Sequence, residues 1–214
     1  MVSKQITIVA LGGSMRAGST SLMALKVALE GAREAGASTD LLNIRELGLP
    51  MYTPGSDDDA PAPAQRVTDV AYRAAGMVWA SPHYHGSVSG SFKNALDWLQ
   101  VLASRNPPFL TDRVIGLIST AGGVQGLQAI NVMEYSVRAL RAWAVPLVIP
   151  IAQSWQAFDE NGRPRDSSVE AQLRMLGSEI ARVAALMTTQ NVADPGAECA
   201  KAAARAAAAQ GAEH

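Results

Sequence analysis

Five side chains that donate strong hydrogen bonds lie within the eight residues 14–21, directly after an apolar run at residues 6–11. They are Ser14, Arg16, Ser19, Thr20 and Ser21. The apolar run is typical of a buried parallel strand, and the glycines after it permit a sharp turn. A helix beginning near Thr20 would point unpaired backbone N–H groups and the positive end of its dipole at this turn. The pattern therefore predicts a phosphate-binding loop, and the alternative is an ordinary helix N-cap beside a solvated arginine.

The spacing of the glycines separates this loop from two common phosphate-binding motifs. From Gly13 the pattern imitates a Walker A loop, but Ser19 stands where that loop requires lysine, so we do not expect a nucleoside triphosphatase. Gly12, Gly13 and Gly18 also depart from the Gly-x-Gly-x-x-Gly spacing of dinucleotide-binding turns. Hydroxyl side chains in place of glycines suit a terminal monophosphate instead. A serine hydrolase is not expected, because the chain contains no Gly-x-Ser-x-Gly elbow.

A second segment, Ser-Pro-His-Tyr-His-Gly-Ser, concentrates two imidazoles and an aromatic ring after another apolar run. Its residues Pro82, His83, Tyr84 and His85 form a rim that suits a flat conjugated ligand. The two histidines alternate like a pair of metal ligands, but a closed site needs more ligands and His214 lies at the far end of the chain, so we predict no metal. The alternative interpretation is a turn with exposed histidines.

A third segment follows the fourth apolar run and contains Ser119, Thr120, Gly122 and Gly123. All three segments follow parallel strands, so we expect the backbone N–H groups of the third to open toward the same edge of the sheet as the first two. In open parallel sheets this edge, beyond the carboxyl ends of the strands, is where ligands bind. Donors there could stabilise negative charge on a bound ring. The alternative is a tight strand-to-helix turn.

Short apolar runs alternate with amphipathic segments along the chain, which predicts an α/β fold with a doubly wound, five-stranded parallel sheet and helices on both faces. The predicted strands are residues 6–11, 40–44, 77–81, 113–119 and 145–149. We expect Pro82 to end the third strand, and we expect a long exposed loop over residues 45–64. One domain over residues 1–190 accounts for these elements, and the alanine-rich tail 191–214 is predicted to be a frayed helix or disordered.

The composition excludes several classes of partner. A formal net charge of -1 over 214 residues argues against nucleic acid or an anionic membrane surface. The single cysteine, Cys199, rules out an intramolecular disulfide and is compatible with a reducing compartment. We find no pattern of a signal peptide and no apolar run long enough to span a bilayer, so we expect a cytoplasmic protein without a membrane partner.

Taken together, the three segments resemble the NAD(P)H-dependent FMN reductase family. These flavodoxin-like enzymes include chromate and quinone reductases and the flavin suppliers of two-component monooxygenases. The resemblance covers roughly residues 6–187 and is carried by Gly-Ser-Met-Arg-Ala-Gly-Ser-Thr-Ser at 13–21, by residues 81–87 leading into Leu-Asp-Trp at 96–98, and by residues 119–123. The fold that the resemblance implies is a flavodoxin-like doubly wound sheet.

The resemblance also implies which residues hold the cofactor FMN. The phosphate would be held by Ser14, Arg16, Ser19, Thr20 and Ser21. The ribityl chain and the ring edge would be lined by Pro82, His83, Tyr84 and His85, mostly through backbone groups, with Ser119, Gly122 and Gly123 opposite. Many members have glutamate and asparagine where this chain has His83 and His85, which bears on substrate preference.

The activity that the resemblance implies is ping-pong hydride transfer from NADPH or NADH to bound FMN, and then to free flavin, a quinone or another small acceptor. The cofactor carries the chemistry, so no catalytic residue is predicted, and Tyr84 is the best candidate to touch nicotinamide or acceptor. A flavodoxin-type electron carrier without its own pyridine nucleotide site is the alternative, although such carriers are usually strongly acidic. A phosphosugar-binding protein on the same fold is a third interpretation.

The family commonly forms dimers or tetramers, so a homodimer or homotetramer is expected, with the helix after the second segment at an interface. Trp98 is a candidate interface residue on that helix, and the alternative is a half-buried core residue. A monooxygenase that receives reduced flavin is a further candidate partner.

Overall fold

Five parallel strands form the central sheet within the residues that the structure, a computed structural model, describes, 5–55 and 59–189. The strands are β1 Thr7–Gly12, β2 Ser38–Asn43, β3 Gly76–Tyr84, β5 Val114–Thr120 and β6 Trp143–Ile151, and a short β4, Ser87–Val88, pairs antiparallel with β3. Their order across the sheet is β2-β1-β3-β5-β6. The five-stranded parallel sheet is confirmed, and β4 was not predicted. The predicted tail 191–214, with Cys199 and His214, lies outside the described residues, and the extent of the domain, 1–190, stays a prediction.

Helices cover both faces of this sheet. They are α1 Thr20–Glu34, α2 Ile44–Leu47, α3 Ala62–Arg73, α4 Gly90–Asp97, α5 Gly126–Ala139 and α6 Ser167–Thr189, with 3₁₀ helices at Trp98–Ser104 and Ser154–Gln156. One apolar cluster joins α1 and α6 to the sheet, and a second cluster on the opposite face joins α3, α4 and α5 to it. The doubly wound, flavodoxin-like arrangement is therefore confirmed.

The strand β1 shows why the apolar runs of this chain are continuous rather than alternating. Ile8 and Ala10 belong to the cluster with α1 and α6, whereas Val9 and Leu11 belong to the cluster on the other face. Each strand residue meets a helix layer whichever way its side chain points, so both sets of positions must be apolar. This burial on both sides holds the end of β1, where the predicted phosphate loop begins.

The helices α1 and α6 pack closely enough that backbone touches backbone. A Cβ atom on Gly31 would lie 2.0 Å from the carbonyl oxygen of Arg174, and one on Gly177 would lie 1.8 Å from that of Ala28. Only glycine fits at these two crossing points. Arg174 reinforces the crossing with ion pairs to Glu30 at 2.6 Å and Glu34 at 2.7 Å on α1. The position of α1, and hence of its N-terminus, is fixed by this contact.

Pro82 does not end the third strand, contrary to the prediction. Gly13 N–H donates to the carbonyl of Ala80 at 3.2 Å, so the backbone of Ala80 faces β1, and two residues later Pro82 faces the same side. The pairing between β1 and β3 stops at Gly12 and Ala80, so β1 offers no carbonyl to which an N–H at position 82 would donate. The absence of that N–H in Pro82 therefore costs no hydrogen bond in the sheet. The strand therefore continues to Tyr84 and turns back into β4.

The predicted loop over residues 45–64 is partly wrong. Asn43 caps the single turn α2 by accepting the N–H of Arg45 at 3.2 Å, and Gly48 ends it in the left-handed region, at φ 58°. The helix α3 then begins at Ala62, earlier than the loop was expected to end. A four-residue helix produces too little hydrophobic periodicity to be predicted from the sequence.

Trp98 is a core residue. It is 2 % exposed, its Nε1–H donates to the carbonyl of Pro50 at 2.9 Å, and its ring meets that of Tyr52 edge to face at 5.3 Å. A side chain covered by its own chain offers no surface to a partner, so its interpretation as an interface residue is wrong. None of the helices in the described segments combines the length and the apolarity needed to cross a membrane.

Candidate functional site

A cleft of about 350 Å³ lies beyond the carboxyl ends of β1, β3 and β5. The chain leaves β1 toward β2 on one side and returns to β3 on the other, so this is the point at which the strand order reverses. Nine of the twelve predicted site residues line the cleft: Ser14, Arg16, Ser19, Thr20, Ser21, Pro82, His83, Tyr84 and Gly122. His85, Ser119 and Gly123 do not appear in its lining.

The loop after β1 is shaped by close contact with β3. Gly12 has φ 150°, and a Cβ atom there would lie 2.1 Å from the carbonyl oxygen of Ala80. The N–H of Gly13 donates to that same oxygen at 3.2 Å. Only glycine permits this approach, and the turn that it allows leads the chain upward into α1.

Two serine hydroxyls in the loop are oriented by backbone groups. Ser19 is the N-cap of α1, as its side chain accepts the N–H of Leu22 at 3.3 Å. Ser14 accepts the N–H of Arg16 at 3.0 Å. A hydroxyl that accepts such a bond still has its own proton to donate. Both serines therefore present donors at the N-terminus of α1, where the helix dipole favours an anion.

Ser21 forms a buried hydrogen bond with a residue from a distant part of the chain. Its Oγ lies 2.6 Å from Oγ1 of Thr120, and the two residues are 1 % and 3 % exposed. One hydroxyl donates to the other, which leaves one proton of the pair for a ligand. The bond also ties the start of α1 to the end of β5.

Arg16 brings the positive charge to this end of the cleft. Its side chain is exposed and lines the cleft, and none of the residues in the described ranges forms an ion pair with it. The lining also contains one carboxylate, Asp159, which accepts the N–H groups of Asn161 at 2.9 Å and Arg163 at 2.8 Å. That carboxylate closes its own turn, so the Arg16 guanidinium remains available to an anionic ligand.

The second segment is a β-hairpin rather than an irregular loop. His85 and Gly86 form its two-residue turn, with φ 50° and 79°, the conformation that matches the twist of the strands. The hydroxyl of Ser81 accepts the N–H of Ser89 at 2.9 Å and holds the base of the hairpin. His83 and Tyr84 thus lie on a strand and line the cleft, whereas the structure places His85 at the tip.

The third segment contributes less than predicted to the lining. Ser119 is fully buried, and its Oγ donates to the carbonyl of Gly126 at 2.7 Å, at the start of α5. Its side chain therefore joins β5 to α5. Gly122 lines the cleft and Gly123 does not. Contact of Ser119 and Gly123 with a cofactor stays a prediction.

Sequence reasoning missed the segment that follows β6. Ser154, Trp155, Phe158 and Asp159 come from this segment, and together with Gly18, Met23 and Thr120 they complete the lining. The N–H of Ser154 donates to the carbonyl of Ala121 at 2.9 Å, which draws the segment over the cleft. Trp155 is 71 % exposed although it is a large aromatic residue. A topological argument could have found it. Neighbouring parallel strands end at the same edge of the sheet, so the segment after the fifth strand must lie beside the loop after the fourth.

Comparison with known proteins identifies the family. Residues 6–156 match the family model of NADPH-dependent FMN reductase, and the chain therefore belongs to that family. It is 29 % identical over 183 residues to the NADPH-dependent FMN reductase ArsH of Shigella flexneri, covering 85 % of this chain and 70 % of that protein. It is 30 % identical over 181 residues to the probable NADPH:quinone oxidoreductase 2 of Oryza sativa subsp. japonica, covering 80 % and 85 %.

Two solved structures support the fold at low sequence identity. FerB, a flavoenzyme NAD(P)H:(acceptor) oxidoreductase from Paracoccus denitrificans, superposes with a TM-score of 0.68 at 21 % identity, covering 84 % of this chain and 97 % of that one. RosB superposes with a TM-score of 0.72 at 14 % identity, covering 94 % and 87 %. These likenesses establish the flavodoxin-like architecture.

The family membership confirms the predicted oxidoreductase class, with FMN as cofactor and NAD(P)H as hydride donor, over the electron-carrier alternative. The relatives differ in the acceptors that their names state. Besides the two above, an FMN-dependent NADPH-azoreductase of Staphylococcus aureus is 32 % identical over 131 residues, covering 61 % of this chain and 66 % of that protein. The chain spans 70 % of the length of the Shigella flexneri ArsH and 65 % of the length of the Rhizobium meliloti ArsH.

Proposed function

We propose that the cleft holds FMN with its phosphate on residues 14–21 and its ring between the end of β3 and Gly122, and that the protein reduces small quinones or free flavin. FMN, when bound, supplies a ring that takes up a hydride from NADPH or NADH and passes the electrons to an acceptor. The single observation that carries the proposal is the gathering of nine predicted residues around one cleft at the switch point of the sheet.

The donor set at the first end of the cleft fits a dianionic phosphate. Ser14 and Ser19 have hydroxyls oriented by backbone N–H groups, and Arg16 adds a planar fork of donors. The N-terminus of α1 adds its dipole, and the carboxylate of Asp159 is engaged within its own turn. This end is built to bind and orient an anion, with no proton transfer required of it.

The other end of the cleft fits a planar ring. Tyr84 and Trp155 are 55 % and 71 % exposed and border the same cleft from the hairpin and from the segment after β6. Exposed aromatic surface of this kind gains from stacking on a flat ligand, and it excludes water from the ligand as it does so. Gly122 adds no side chain on its side, which leaves room for the ring edge.

The proposed acceptors are small molecules that can approach the exposed side of this cleft. The names of the relatives, FMN reductase, quinone oxidoreductase and azoreductase, support that class without selecting one member of it. A homodimer or homotetramer, a monooxygenase partner and a cytoplasmic location stay predictions. Size-exclusion chromatography with light scattering tests the first of them.

Titration of the protein, stripped of any flavin, tests the function directly. We expect FMN to bind, riboflavin, which lacks the phosphate, to bind at least roughly ten-fold more weakly, and anaerobic NADPH or NADH to bleach the bound FMN. Equal affinity for riboflavin and FMN would contradict the phosphate assignment. Bound FMN that stays oxidised with both nicotinamides would contradict the hydride transfer.

A further inference from the structure

Of the two described histidines, His83 is the one that lines the cleft, and a side chain on another element holds its ring. Its Nε2 lies 3.0 Å from Oε1 of Gln128, in the first turn of α5. An amide oxygen can only accept a hydrogen bond, so Nε2 is the donor in this pair. Nδ1 is then the ring nitrogen left for a ligand, as no other hydrogen bond to the ring is found within residues 5–55 and 59–189.

Both partners of this contact are firmly placed. His83 pairs with Val88 in the hairpin, and the N–H of Gln128 donates to the carbonyl of Gln125 at 3.0 Å at the start of α5. The imidazole is thus held from the helix side, and its residue lines the cleft. An oriented ring with one unoccupied nitrogen is the arrangement that a general acid requires.

The reduction of a quinone needs a proton that the hydride does not bring. A quinone takes up two electrons and two protons, and a hydride supplies both electrons but only one proton. Among the titratable side chains that line the cleft, Arg16 does not release its proton, and Asp159 accepts two N–H groups as a carboxylate does. His83 and Tyr84 remain, and among the described residues it is the ring of His83 that a hydrogen bond to another side chain holds in place.

We propose that His83 is a catalytic residue for acceptors that must be protonated and that Gln128 is its positioning residue. In the protonated ring, the Nδ1–H bond breaks as an O–H bond forms on the quinone oxygen, while the quinone receives its hydride. Neutral His83 then recovers a proton from water, and its Nε2–H bond to Gln128 persists throughout. This inference rests on the proposed function, because it requires FMN and the acceptor in the cleft.

The test compares an acceptor that takes protons with one that does not. Menadione takes two electrons and two protons, whereas ferricyanide takes electrons alone. In FMN-loaded His83→Gln we expect kcat with menadione to fall roughly ten-fold, since water in the open cleft replaces part of the general acid's contribution. Both rates are measured per bound FMN, and we expect the menadione rate to fall several-fold more than the ferricyanide rate. Equal losses with both acceptors, or no loss with menadione, would overturn the proposal.

Variants of Gln128 test the positioning role. Gln128→Leu removes the acceptor for Nε2–H, and we expect kcat with menadione to fall roughly three-fold with KM unchanged. Gln128→Glu keeps an oxygen at that place and should restore the rate. Gln125→Leu is the matched control, because this exposed glutamine does not line the cleft. A Gln128→Glu protein as slow as Gln128→Leu would contradict the role assigned to Gln128.

Tyr84→Phe separates the two candidate proton sources. Loss of menadione turnover in Tyr84→Phe, with His83→Gln unaffected, would assign the proton to Tyr84 and overturn the proposal. An unaltered protein that neither binds FMN nor oxidises NADPH with ferricyanide would refute the proposed function itself. Normal ferricyanide turnover with an unchanged menadione rate in His83→Gln would refute the role of His83 alone.

Discussion

The two ends of the cleft are built in different ways. The phosphate end comes from one continuous stretch, residues 12–21, whereas the ring end is assembled from the β3–β4 hairpin, the turn after β5 and the segment after β6. At the first end the side chains are held by local backbone groups, as Ser14 and Ser19 show. At the second end the exposed aromatic residues Tyr84 and Trp155 face a cleft whose walls meet only in the folded chain.

This difference predicts that the phosphate end determines the affinity for FMN and that the ring end determines the selectivity for acceptors. The phosphate end is anchored by the close passage of Gly12 over β3 and by the packing of α1 on α6, so it can hold an anion in one geometry. The ring end carries two large exposed aromatic side chains, Tyr84 and Trp155, which can be replaced without disturbing the core. Changes at the first end should therefore act on FMN binding, and changes at the second end on the choice of acceptor.

The largest effect is expected from Gly12→Ala, which attacks the phosphate end at its base. The new Cβ would lie 2.1 Å from the carbonyl oxygen of Ala80, in a backbone conformation with φ 150°. We expect a loss of about 3 kcal/mol in the free energy of unfolding, measured by urea denaturation, together with loss of FMN binding. Gly90→Ala is the control, since its Cβ would meet nothing within 4 Å. Unchanged stability in Gly12→Ala would mean that β1 and β3 can separate without cost.

Arg16→Ala tests whether the phosphate end recognises phosphate. We expect FMN to bind about 2 kcal/mol more weakly, the scale of a charge-assisted hydrogen bond, with riboflavin binding unchanged and the fold intact. Arg138→Ala removes an exposed arginine on α5 that does not line the cleft, and it should bind FMN normally. If fluorescence titration gives the same FMN affinity for Arg16→Ala and for the unaltered protein, Arg16 does not touch the phosphate.

Ser21→Ala tests a hydrogen bond that joins the two ends. Removing Ser21 Oγ leaves the buried Thr120 hydroxyl without its partner at 2.6 Å, and we expect a loss of about 1.5 kcal/mol in the free energy of unfolding. Adding Thr120→Val should recover part of that loss, because the second orphaned hydroxyl is then gone as well. Additive losses in the double variant would show that the two hydroxyls act independently.

Trp155→Ala is expected to have the smallest effect, confined to the ring end. Loss of the stacking surface should raise KM for menadione about five-fold, equivalent to about 1 kcal/mol, while FMN affinity falls less than in Arg16→Ala because the phosphate end is intact. Trp143→Ala offers a matched control, since that tryptophan is also more than half exposed but lies on β6 outside the cleft. A drop in FMN affinity as large as that of Arg16→Ala would erase the distinction between the two ends.

The phosphate end could be predicted because its information is local. A buried strand, two glycines, an N-cap serine and a helix follow one another within sixteen residues, from Ile6 to Ser21, and each dictates the conformation of the next. The alternation of apolar runs with amphipathic segments likewise predicted the parallel sheet and the helices on both of its faces. These features depend on the periodicity of apolar side chains and on the backbone preferences of individual residues, and both are determined by residues close together in the sequence.

The ring end was decided by tertiary structure. Pro82 stays within a strand because β1 has already ended beside it, Ser119 turns toward Gly126 because α5 packs there, and Trp155 reaches the cleft because the N–H of Ser154 bonds to Ala121. The pairing of His83 with Gln128 spans 45 residues. Contacts of this kind depend on how separate elements are brought together by core packing, so spacing along the chain carries no record of them.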